Sequence, residues 1–278
     1  MNRRSFLAAL AAASAPASWA RTLKVIGVQL YTVRSILPEK PLDTLRALEQ
    51  IGYREAECTA GGLDKIWPAL KQTALKPISL HLDTALFTRQ QDKLPAALDD
   101  AKQRGLEFVV CPYIAPADRG GVDMIRKLGE TLNQAGEICK KTDLRLCYHN
   151  HAFEFQPSGD GILLDVLMQT ADPKLVSLEL DIMWSTVAGV DPVGVLKKYS
   201  GRVALMHLKN VAPGLEKRYN EQVPKSAFRE VGNGVIDIPA VLKAGEAAGV
   251  EHYFVEQDQT TGDPIDSLRQ SFEYLEKV

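Results

Sequence analysis

The chain has 278 residues, of which 45% are hydrophobic and 24% are charged, and its formal net charge is −2. This composition excludes a disordered or fibrous protein, and the length is sufficient for one large hydrophobic core. Positive and negative residues are interspersed, without a run of Lys and Arg long enough to bind a polyanion. We therefore expect no nucleic-acid partner.

Residues 1–20, "MNRRSFLAALAAASAPASWA", have the pattern of a signal peptide. The arginine pair Arg3 and Arg4 precedes a stretch of about ten small apolar residues and a small-residue cleavage pattern that ends at Ala20. The order Arg-Arg-Ser-Phe-Leu is typical of twin-arginine export, and the apolar stretch is too short for a stable membrane anchor. We therefore expect cleavage after Ala20 and a periplasmic mature protein of residues 21–278.

The four cysteines, Cys58, Cys111, Cys139 and Cys147, show no CxxC spacing. Cys58, Cys111 and Cys147 lie in apolar strand-like segments, which predicts buried thiols. An oxidising compartment permits disulfides, so the sequence leaves open whether one pair forms.

Short β-rich runs alternate with helical patterns along the mature chain. The predicted strands are "LKVIGVQL", "YREAEC", "KPISLHL", "LEFVVCPYI", "LRLCYHN", "LVSLELD", "RVALMHLK" and "EHYFVEQ". The helical patterns include "PLDTLRALEQIG", "LPAALDDAKQRG", "MIRKLGETLNQAGEICKK", "DPVGVLKKYSG" and "IPAVLKAGEAAG". This count predicts an α/β fold, a single-domain (β/α)8 TIM barrel, and the mature length is close to the ~250 residues typical of that fold.

The main alternative architecture is an open, doubly wound sheet. Such a sheet would carry a Gly-rich phosphate loop after its first strand, and the first predicted strand runs into "GVQLYTVRSILPEK" without one. Gly52, Gly105 and Gly249 each stand between a helical pattern and a strand, as expected where a helix ends in a left-handed turn. Residues 212–227 form a long polar segment after the seventh strand, and long loops of this kind build the active sites of barrels.

In a closed parallel barrel, functional residues lie at the carboxyl ends of the strands and share the parity of the inward side chains. This rule selects a set of polar residues: Gln29, Tyr31, Glu57, His81, His149, His151, Glu179, Asp181, His207, Lys209, Glu256 and Asp258.

Three members of this set stand at equal height on the sixth, seventh and eighth strands. Leu178 and Leu180 share the outer face of the sixth strand, so Asp181 faces the lumen, where a buried carboxylate requires a cation. His207 and Glu256 follow on the next two strands. This mixture of oxygen and nitrogen ligands predicts a site for one divalent ion, Mn, Mg, Co or Zn.

These residues resemble the sugar phosphate isomerase/epimerase family, which has a xylose isomerase-like TIM barrel. The segments that carry the resemblance are "GVQLYTVR", "YHNHAFEF", "ELDIMW" with "AGVDP", "HLKN", "VGNGVID" and "VEQD". Their combination in this order is specific, and it covers essentially the whole mature chain.

Members of this family bind one divalent metal with a Glu from the fifth strand, an Asp from the sixth, a His from the seventh and a Glu from the eighth. The resemblance implies that Asp181, His207 and Glu256 are ligands. His149 stands where the family has the fifth-strand Glu, and Glu154 lies five residues further on. The resemblance therefore leaves two candidates for the fourth ligand, His149 and Glu154.

The chemistry implied by the resemblance is proton abstraction next to a carbonyl. We expect Glu256 to be the base and Glu154 to be a second acid/base or an additional ligand. Export and the lack of a phosphate loop favour a small non-phosphorylated carbohydrate, such as a keto-sugar or a 3-keto-glycoside. The predicted enzyme is an isomerase, an epimerase or a lyase, and the sequence leaves the choice open.

The remaining strand-end residues are expected to contact the substrate. Lys209 would hold a substrate oxygen or form a salt bridge with Glu179 or Glu230. His81 and Glu57 would bond substrate hydroxyls or metal ligands, or have structural roles. The predicted substrate-binding residues, which include aromatic rings for stacking or packing, are Tyr31, Glu57, His81, His151, Trp184 and Lys209.

Other functions fit the sequence less well. A non-catalytic periplasmic sugar-binding protein on the same barrel stays open. A DNA-repair endonuclease would need a trinuclear metal cluster and a basic groove, whereas this chain has five histidines and a net negative charge. An amidohydrolase would place its HxH pair on the first strand, and here the pair is on the fifth. The sequence leaves open whether the chain forms a homodimer.

Overall fold

The computed structural model describes residues 23–159 and 161–278, so the expected signal peptide, residues 1–20, lies outside the described residues. Eight parallel strands close into a barrel in chain order, and the eighth pairs with the first. From first to eighth, the strands are Gly27–Gln29, Glu55–Thr59, Lys76–His81, Phe108–Cys111, Arg145–His149, Val176–Asp181, Val203–Leu208 and His252–Val255. The predicted TIM barrel is confirmed.

Helices connect the strands and surround the barrel. The described α-helices are Pro41–Ile51, Leu63–Leu70, Ala85–Thr88, Leu94–Gln103, Gly121–Lys141, Leu163–Thr170, Ile182–Val187, Pro192–Lys198, Ile238–Ala248 and Pro264–Leu275. None of these described helices combines the length and the apolarity that crossing a membrane requires. The helix Ile182–Val187 has no counterpart among the predicted elements, and it begins directly after the sixth strand.

The joints between helices and strands agree with the turn chemistry predicted from the sequence. Gly105 and Gly249 have φ values of +80° and +85°, which side chains with a Cβ rarely adopt. Asp191 caps the helix Pro192–Lys198, because its side chain accepts hydrogen bonds from the backbone N–H groups of Val193 and Gly194.

The apolar core has two parts. The larger part lies between the barrel and the helices, and burial of each large apolar side chain there contributes roughly 1.5–3 kcal/mol. The smaller part fills the lumen with side chains from five strands, the third, fourth, fifth, seventh and eighth, and it includes Phe108, Cys147, Leu205 and Phe254. Because this plug closes the barrel interior, the polar strand-end residues lie above it, at the carboxyl end.

All four cysteines are buried free thiols. The predicted buried thiols are therefore confirmed, and the disulfide that the sequence left open does not form.

The predicted polar segment 212–227 forms a long loop above the barrel. It is bounded by a short antiparallel pair, Asn210–Val211 with Phe228–Arg229, and contains one 3-10 turn, Lys225–Ala227. The loop contributes Glu221, Val223 and Lys225 to the wall of the largest described cavity.

Candidate active site

The carboxyl ends of the strands surround a cavity of about 630 Å³. Among the predicted substrate-binding residues, four line it: Tyr31, His81, His151 and Trp184. His149 and Glu256 also line the cavity, so the predicted metal site opens directly into a space large enough for a small carbohydrate.

Four residues from consecutive strands form what we call the outer group: His149, Asp181, His207 and Glu256. Each offers one ligand atom, and these atoms lie within 4.8 Å of one another. Glu256 Oε2 is 2.8 Å from His207 Nδ1, and His149 Nε2 is 3.9 Å from Asp181 Oδ2. The structure thus brings together the residues that the sequence placed at equal height.

Asp181 connects the outer group to the helix that follows it. Its Oδ1 accepts hydrogen bonds from the backbone N–H groups of Met183 and Trp184, at 2.9 and 3.1 Å, and so caps the helix Ile182–Val187. Its Oδ2 faces the site. One carboxylate therefore fixes the start of the helix that carries Trp184 and supplies a ligand atom to the outer group.

Lys209 is a buried cation beside the outer group, with its side chain 1% exposed. Its Nζ lies 2.8 Å from Asp181 Oδ2, 2.5 Å from Glu256 Oε2 and 2.7 Å from Asp258 Oδ2. The predicted partners Glu179 and Glu230 are therefore wrong, because the ammonium is paired with these three other carboxylates. Lys209 is also absent from the residues that line the cavity.

A second set of polar residues, which we call the inner group, lies one layer deeper: Glu57, His81, Glu179 and His207. His81 Nε2 is 2.9 Å from Glu179 Oε2 and 3.1 Å from Glu57 Oε2. Glu57 Oε2 also contacts His207 Nε2 at 2.5 Å and accepts a hydrogen bond from Gln29. His207 belongs to both groups, with Nε2 facing inward and Nδ1 facing outward.

Glu57 is fully buried beneath His81 and His207, and it does not line the cavity. The expectation that Glu57 bonds a substrate hydroxyl is corrected accordingly. Its contact with His207 Nε2 matches the second role considered for it, a carboxylate that orients a ligand histidine.

The charges of the two groups set the pKa values of the histidines. Burial lowers the pKa of His81, but the carboxylates of Glu57 and Glu179 outweigh burial and raise it to about 9. Burial likewise opposes a charge on His207, whereas Glu179, Glu256 and Glu57 hold its pKa well above the usual value.

The pKa of His149 is shifted in the opposite direction, downwards. Burial, together with the neighbouring His207 and His151, keeps the pKa of His149 well below its usual value. A neutral imidazole is the form that binds a metal ion, so His149 needs no proton loss before it can act as a ligand.

The carboxylates and Lys209 form a coupled set. Burial favours protonation of Glu256, but Lys209 and His207 outweigh burial and hold its pKa below the usual range. Burial raises the pKa of Asp258 to about 6, although Lys209 opposes this shift. Burial favours the neutral form of Lys209, but Asp181, Asp258 and Glu256 outweigh burial and hold its pKa well above the ordinary value.

The structure places Glu154 outside both groups. Its Oε1 accepts a hydrogen bond from the Tyr148 hydroxyl at 2.7 Å, and its Oε2 accepts one from the backbone N–H of His151 at 2.9 Å. Tyr148 has the outward parity, so Glu154 lies behind the fifth strand, and burial raises its pKa to about 8. The expectation that Glu154 is a metal ligand or the second acid/base is corrected on this geometry, because both of its oxygens are already bonded away from the cavity.

Aromatic rings form part of the cavity wall. The rings of Trp184 and His151 are stacked with centroids 5.5 Å apart, and Phe228 meets Trp184 edge-on at 6.3 Å. Tyr31 stands at the rim with 42% of its surface exposed, and Arg34 lies 3.9 Å from its ring centroid. These rings add flat apolar surface to a cavity that is otherwise lined by polar groups.

Strand parity included Glu179 and Asp258 in the strand-end set, but it assigned them no role in the metal site, because parity alone does not distinguish a site carboxylate from a structural one. The sequence did not single out two other residues that the structure brings to this site. Tyr113 and Phe228 line the cavity from loops, where no periodicity predicts the direction of a side chain.

The outer group fits a divalent metal ion. Asp181 Oδ2 and His207 Nδ1 are buried and have no hydrogen-bond partner among the described residues, although they have ionic contacts at 2.8–4.0 Å. Buried polar atoms without a hydrogen bond are rare, and atoms of this kind that converge within 4.8 Å are suited to a metal ion. Two carboxylates and two imidazoles are ligands of intermediate hardness.

Comparison with known proteins identifies the family. The family described as "Xylose isomerase-like TIM barrel" matches residues 45–278. The chain belongs to this family. Its outer group occupies the carboxyl ends of strands five to eight, so the family resemblance seen in the sequence is confirmed.

Among curated proteins, the chain is similar to an inosose dehydratase from Geobacillus thermodenitrificans. The two are 31% identical over 161 residues, which cover 53% of this chain and 52% of the relative. The chain thus spans about half the length of the curated relatives it matches.

Among solved structures, the chain is similar to a sugar phosphate isomerase/epimerase from Parabacteroides distasonis, with a TM-score of 0.76, 21% identity, and 92% of this chain and 99% of that chain covered. A zinc-bound IolI protein has a TM-score of 0.68 at 14% identity, with 90% and 96% covered. A 3-keto-D-glucoside 4-epimerase from E. coli has a TM-score of 0.64 at 16% identity, with 90% and 98% covered. These similarities concern the fold.

Proposed function

We propose that this protein is a divalent-metal-dependent sugar isomerase, epimerase or lyase that removes a proton next to a carbonyl. Its substrate is a non-phosphorylated keto-sugar or keto-glycoside. The observation that carries the proposal is the outer group, whose four converging ligand atoms lie within 4.8 Å of one another at the base of a 630 Å³ cavity. The similarity to an inosose dehydratase supports chemistry on a cyclic keto-polyol.

His149, Asp181, His207 and Glu256 would hold the metal ion. When bound, the ion would polarise the substrate carbonyl and stabilise the negative charge that develops on its oxygen as the neighbouring C–H bond breaks. His149 is neutral and replaces the anionic Glu of the family, so this ligand set carries one negative charge less and makes the ion a stronger Lewis acid.

Glu256 is the residue that takes the proton. Its contacts with His207 and Lys209 both involve Oε2, and the residue lines the cavity, so Oε1 faces the substrate. Lys209 and His207 hold the pKa of Glu256 low against the effect of burial, which keeps the carboxylate ionised and ready to accept a proton.

The remaining wall binds and orients the sugar. Trp184 and His151 offer a stacked aromatic surface, and Tyr31 closes the rim. Lys209 acts on the substrate indirectly, because its three ion pairs hold the carboxylates of Asp181, Glu256 and Asp258 in place. The aromatic wall and the buried polar floor together orient a ring so that one C–H bond faces Glu256.

Incubation in heavy water tests the proposal. The Mn-loaded protein is mixed with keto-sugars and methyl 3-keto-glucoside, and we expect deuterium at the carbon next to the ketone or a rearranged or eliminated product. The matched control is Glu256→Gln, which has the same size and no basic oxygen. Binding of a keto-sugar without exchange or product would instead indicate a sugar-binding protein, and neither binding nor exchange would refute both functions.

We further propose that the protein acts in the periplasm after twin-arginine export and cleavage behind Ala20, because of the pattern in residues 1–20. Substitution of both Arg3 and Arg4 by Lys should retain the precursor in the cytoplasm, as measured by fractionation and by the mass of the exported chain. Export of the doubly substituted chain at the native rate would contradict the assignment.

A further inference from the structure

The inner group contains ligand types that bind metal ions, and the reaction proposed above makes no use of most of them. Its members come from four strands, the second, third, sixth and seventh: Glu57, His81, Glu179 and His207. In the closed barrel, the second and third strands are neighbours, and the sixth and seventh are neighbours on the opposite side. The four side chains therefore meet across the lumen from two facing walls.

The imidazole nitrogens and the carboxylates alternate around one point. His81 Nε2 is 3.1 Å from Glu57 Oε2 and 2.9 Å from Glu179 Oε2. His207 Nε2 is 2.5 Å from Glu57 Oε2 and 3.4 Å from Glu179 Oε1. In a tetrahedral zinc site, ligand atoms lie roughly 3.3–3.5 Å from one another. Separation of these contacts by up to about 1 Å would therefore make room for an ion.

A hydrogen-bond network is the alternative explanation of these contacts, and it leaves part of the group unsatisfied. Each of the two imidazole nitrogens faces two carboxylates but carries at most one proton. Glu57 Oε1 and Glu179 Oε1 are buried and have no hydrogen-bond partner among the described residues, and both side chains are 0% exposed. Buried polar atoms of this kind are rare. A cation at the common point would contact both carboxylates at once.

The charge and the ligand types fit a divalent ion such as zinc. Two carboxylates carry two negative charges, which one divalent ion balances, and two imidazoles complete a tetrahedral set that Zn²⁺ accepts. Glu57, Glu179 and His207 are absent from the residues that line the cavity, so the site has no open position for a substrate. Closed sites with four protein ligands are structural. His81 lines the cavity and offers the ion a route of entry.

We propose that the inner group binds a second divalent ion, a structural Zn²⁺, through one atom of each of its four residues. The ion ties the second and third strands to the sixth and seventh above the apolar plug of the lumen. This site does not depend on the reaction proposed above. A ring that binds an ion at each nitrogen has to give up its N–H proton. Because His207 is common to both groups, the inner ion should bind more tightly when the outer group cannot hold one.

A variant with a disabled outer group isolates the inner site. Asp181→Asn/Glu256→Gln keeps the size of both side chains and leaves the inner group intact. We expect this double variant to bind one Zn²⁺ per chain in equilibrium dialysis, and to show with Co²⁺ the intense visible absorption of a tetrahedral site. Addition of Glu57→Gln or Glu179→Gln should weaken Zn²⁺ binding by about 100-fold or more, because loss of a residue that only orients a ligand costs ~10- to 100-fold.

The matched control is Glu55→Gln in the same double variant. Glu55 precedes Glu57 by two residues on the second strand and also contacts a histidine, with Oε2 2.8 Å from His252 Nδ1, but it belongs to neither group. Its replacement should leave Zn²⁺ binding unchanged. Zn²⁺ should also raise the melting temperature of the double variant, with and without Glu55→Gln, and should not do so once Glu57→Gln is added.

Crystals of the unsubstituted protein grown with excess Zn²⁺ provide a test that does not require any variant to fold. Anomalous scattering at the zinc edge should place an ion about 2.0–2.2 Å from the four inner ligand atoms. A zinc peak at the outer group alone would overturn the inference, as would a double variant that binds no Zn²⁺. Absence of deuterium exchange and product would instead overturn the proposed function and leave the inner site unaffected.

Discussion

The ammonium of Lys209 lies 2.5 Å from Glu256 Oε2, so the proposed base and its nearest cation form a buried ion pair. Removal of one partner from such a pair leaves the other charge uncompensated, at a cost of roughly 3–5 kcal/mol. Lys209→Met should therefore lower the free energy of unfolding of the metal-free protein by about this amount, as measured by urea denaturation with a chelator present.

Mn²⁺ should restore much of this loss, because a divalent ion returns positive charge to Asp181 and Glu256. The control is Lys65→Met, at an exposed position in the helix Leu63–Leu70, which should change the stability by less than about 0.5 kcal/mol. If Lys209→Met were as stable as the unsubstituted protein without metal, Lys209 would not be needed to balance these carboxylates.

Asp181→Asn separates the two tasks of Asp181. Asn still offers an oxygen to the N–H groups of Met183 and Trp184, and Lys209 keeps Glu256 and Asp258 as partners, so the melting temperature should fall far less than in Lys209→Met. Asn is, however, a weaker metal ligand than a carboxylate. We expect at least about 10-fold lower metal affinity and a matching loss of exchange activity. Metal content after dialysis against buffered Mn²⁺, with Asp191→Asn as the control, is the measurement.

Asp181→Ala adds a second effect. It removes the helix cap as well, which costs about 1 kcal/mol beyond the loss of metal. Equal metal content in Asp181→Asn and the unsubstituted protein would exclude Asp181 as a ligand.

The buried carboxyl group of Glu154 should make the stability of the protein depend on pH. Burial raises its pKa to about 8 in the folded protein, against a usual value of 4.5. Between these two pH values the unfolded chain has lost the proton and the folded chain retains it, so stability falls as the pH rises through this window. Glu154→Gln resembles the protonated form, and it should flatten this decline and be more stable than the unsubstituted protein at pH 8.

Urea denaturation at a series of pH values measures this effect, and Glu251→Gln, a surface position paired with Arg145, is the control. Parallel stability profiles for Glu154→Gln and the unsubstituted protein would mean that Glu154 is ionised in the folded state at neutral pH.

Trp184→Phe tests whether the indole binds the sugar. The indole Nε1 is buried and has no hydrogen-bond partner among the described residues, while its ring stacks on His151. Phe preserves the apolar surface and removes the N–H, so the KM should rise by about 3- to 10-fold with kcat nearly unchanged. A fall in kcat at constant KM would place the indole in the chemical step instead.

Strand parity was sufficient to predict the centre of the site. Asp181, His207 and Glu256 follow apolar strands whose outward residues are unambiguous, and the closed barrel brings the strand ends to one side. The same argument explains the error at Glu154. The chain leaves strand parity after His149, and the 3-10 turn Phe153–Phe155 returns the Glu154 side chain to Tyr148 on the outer face.

The ion-pair partners of Lys209 could not be predicted from the sequence, for a different reason. A lysine side chain spans several positions, so parity gives its side of the sheet but not the carboxylate it meets. Glu179 and Asp181 are two residues apart on one strand, and only the structure shows that the ammonium lies beside Asp181, with Nζ 2.8 Å from its Oδ2.

Because Asp181 caps the helix that begins at Ile182 and also faces the outer group, the distance between the polar floor and the Trp184 ring is set within a single turn of backbone. This fixed distance would therefore limit the size and shape of the ligand that the site accepts. A sugar can place its ketone at the floor and its flat face on the indole only if no bulky axial substituent lies on that face, so the protein should distinguish stereoisomers of a keto-sugar before any bond is broken.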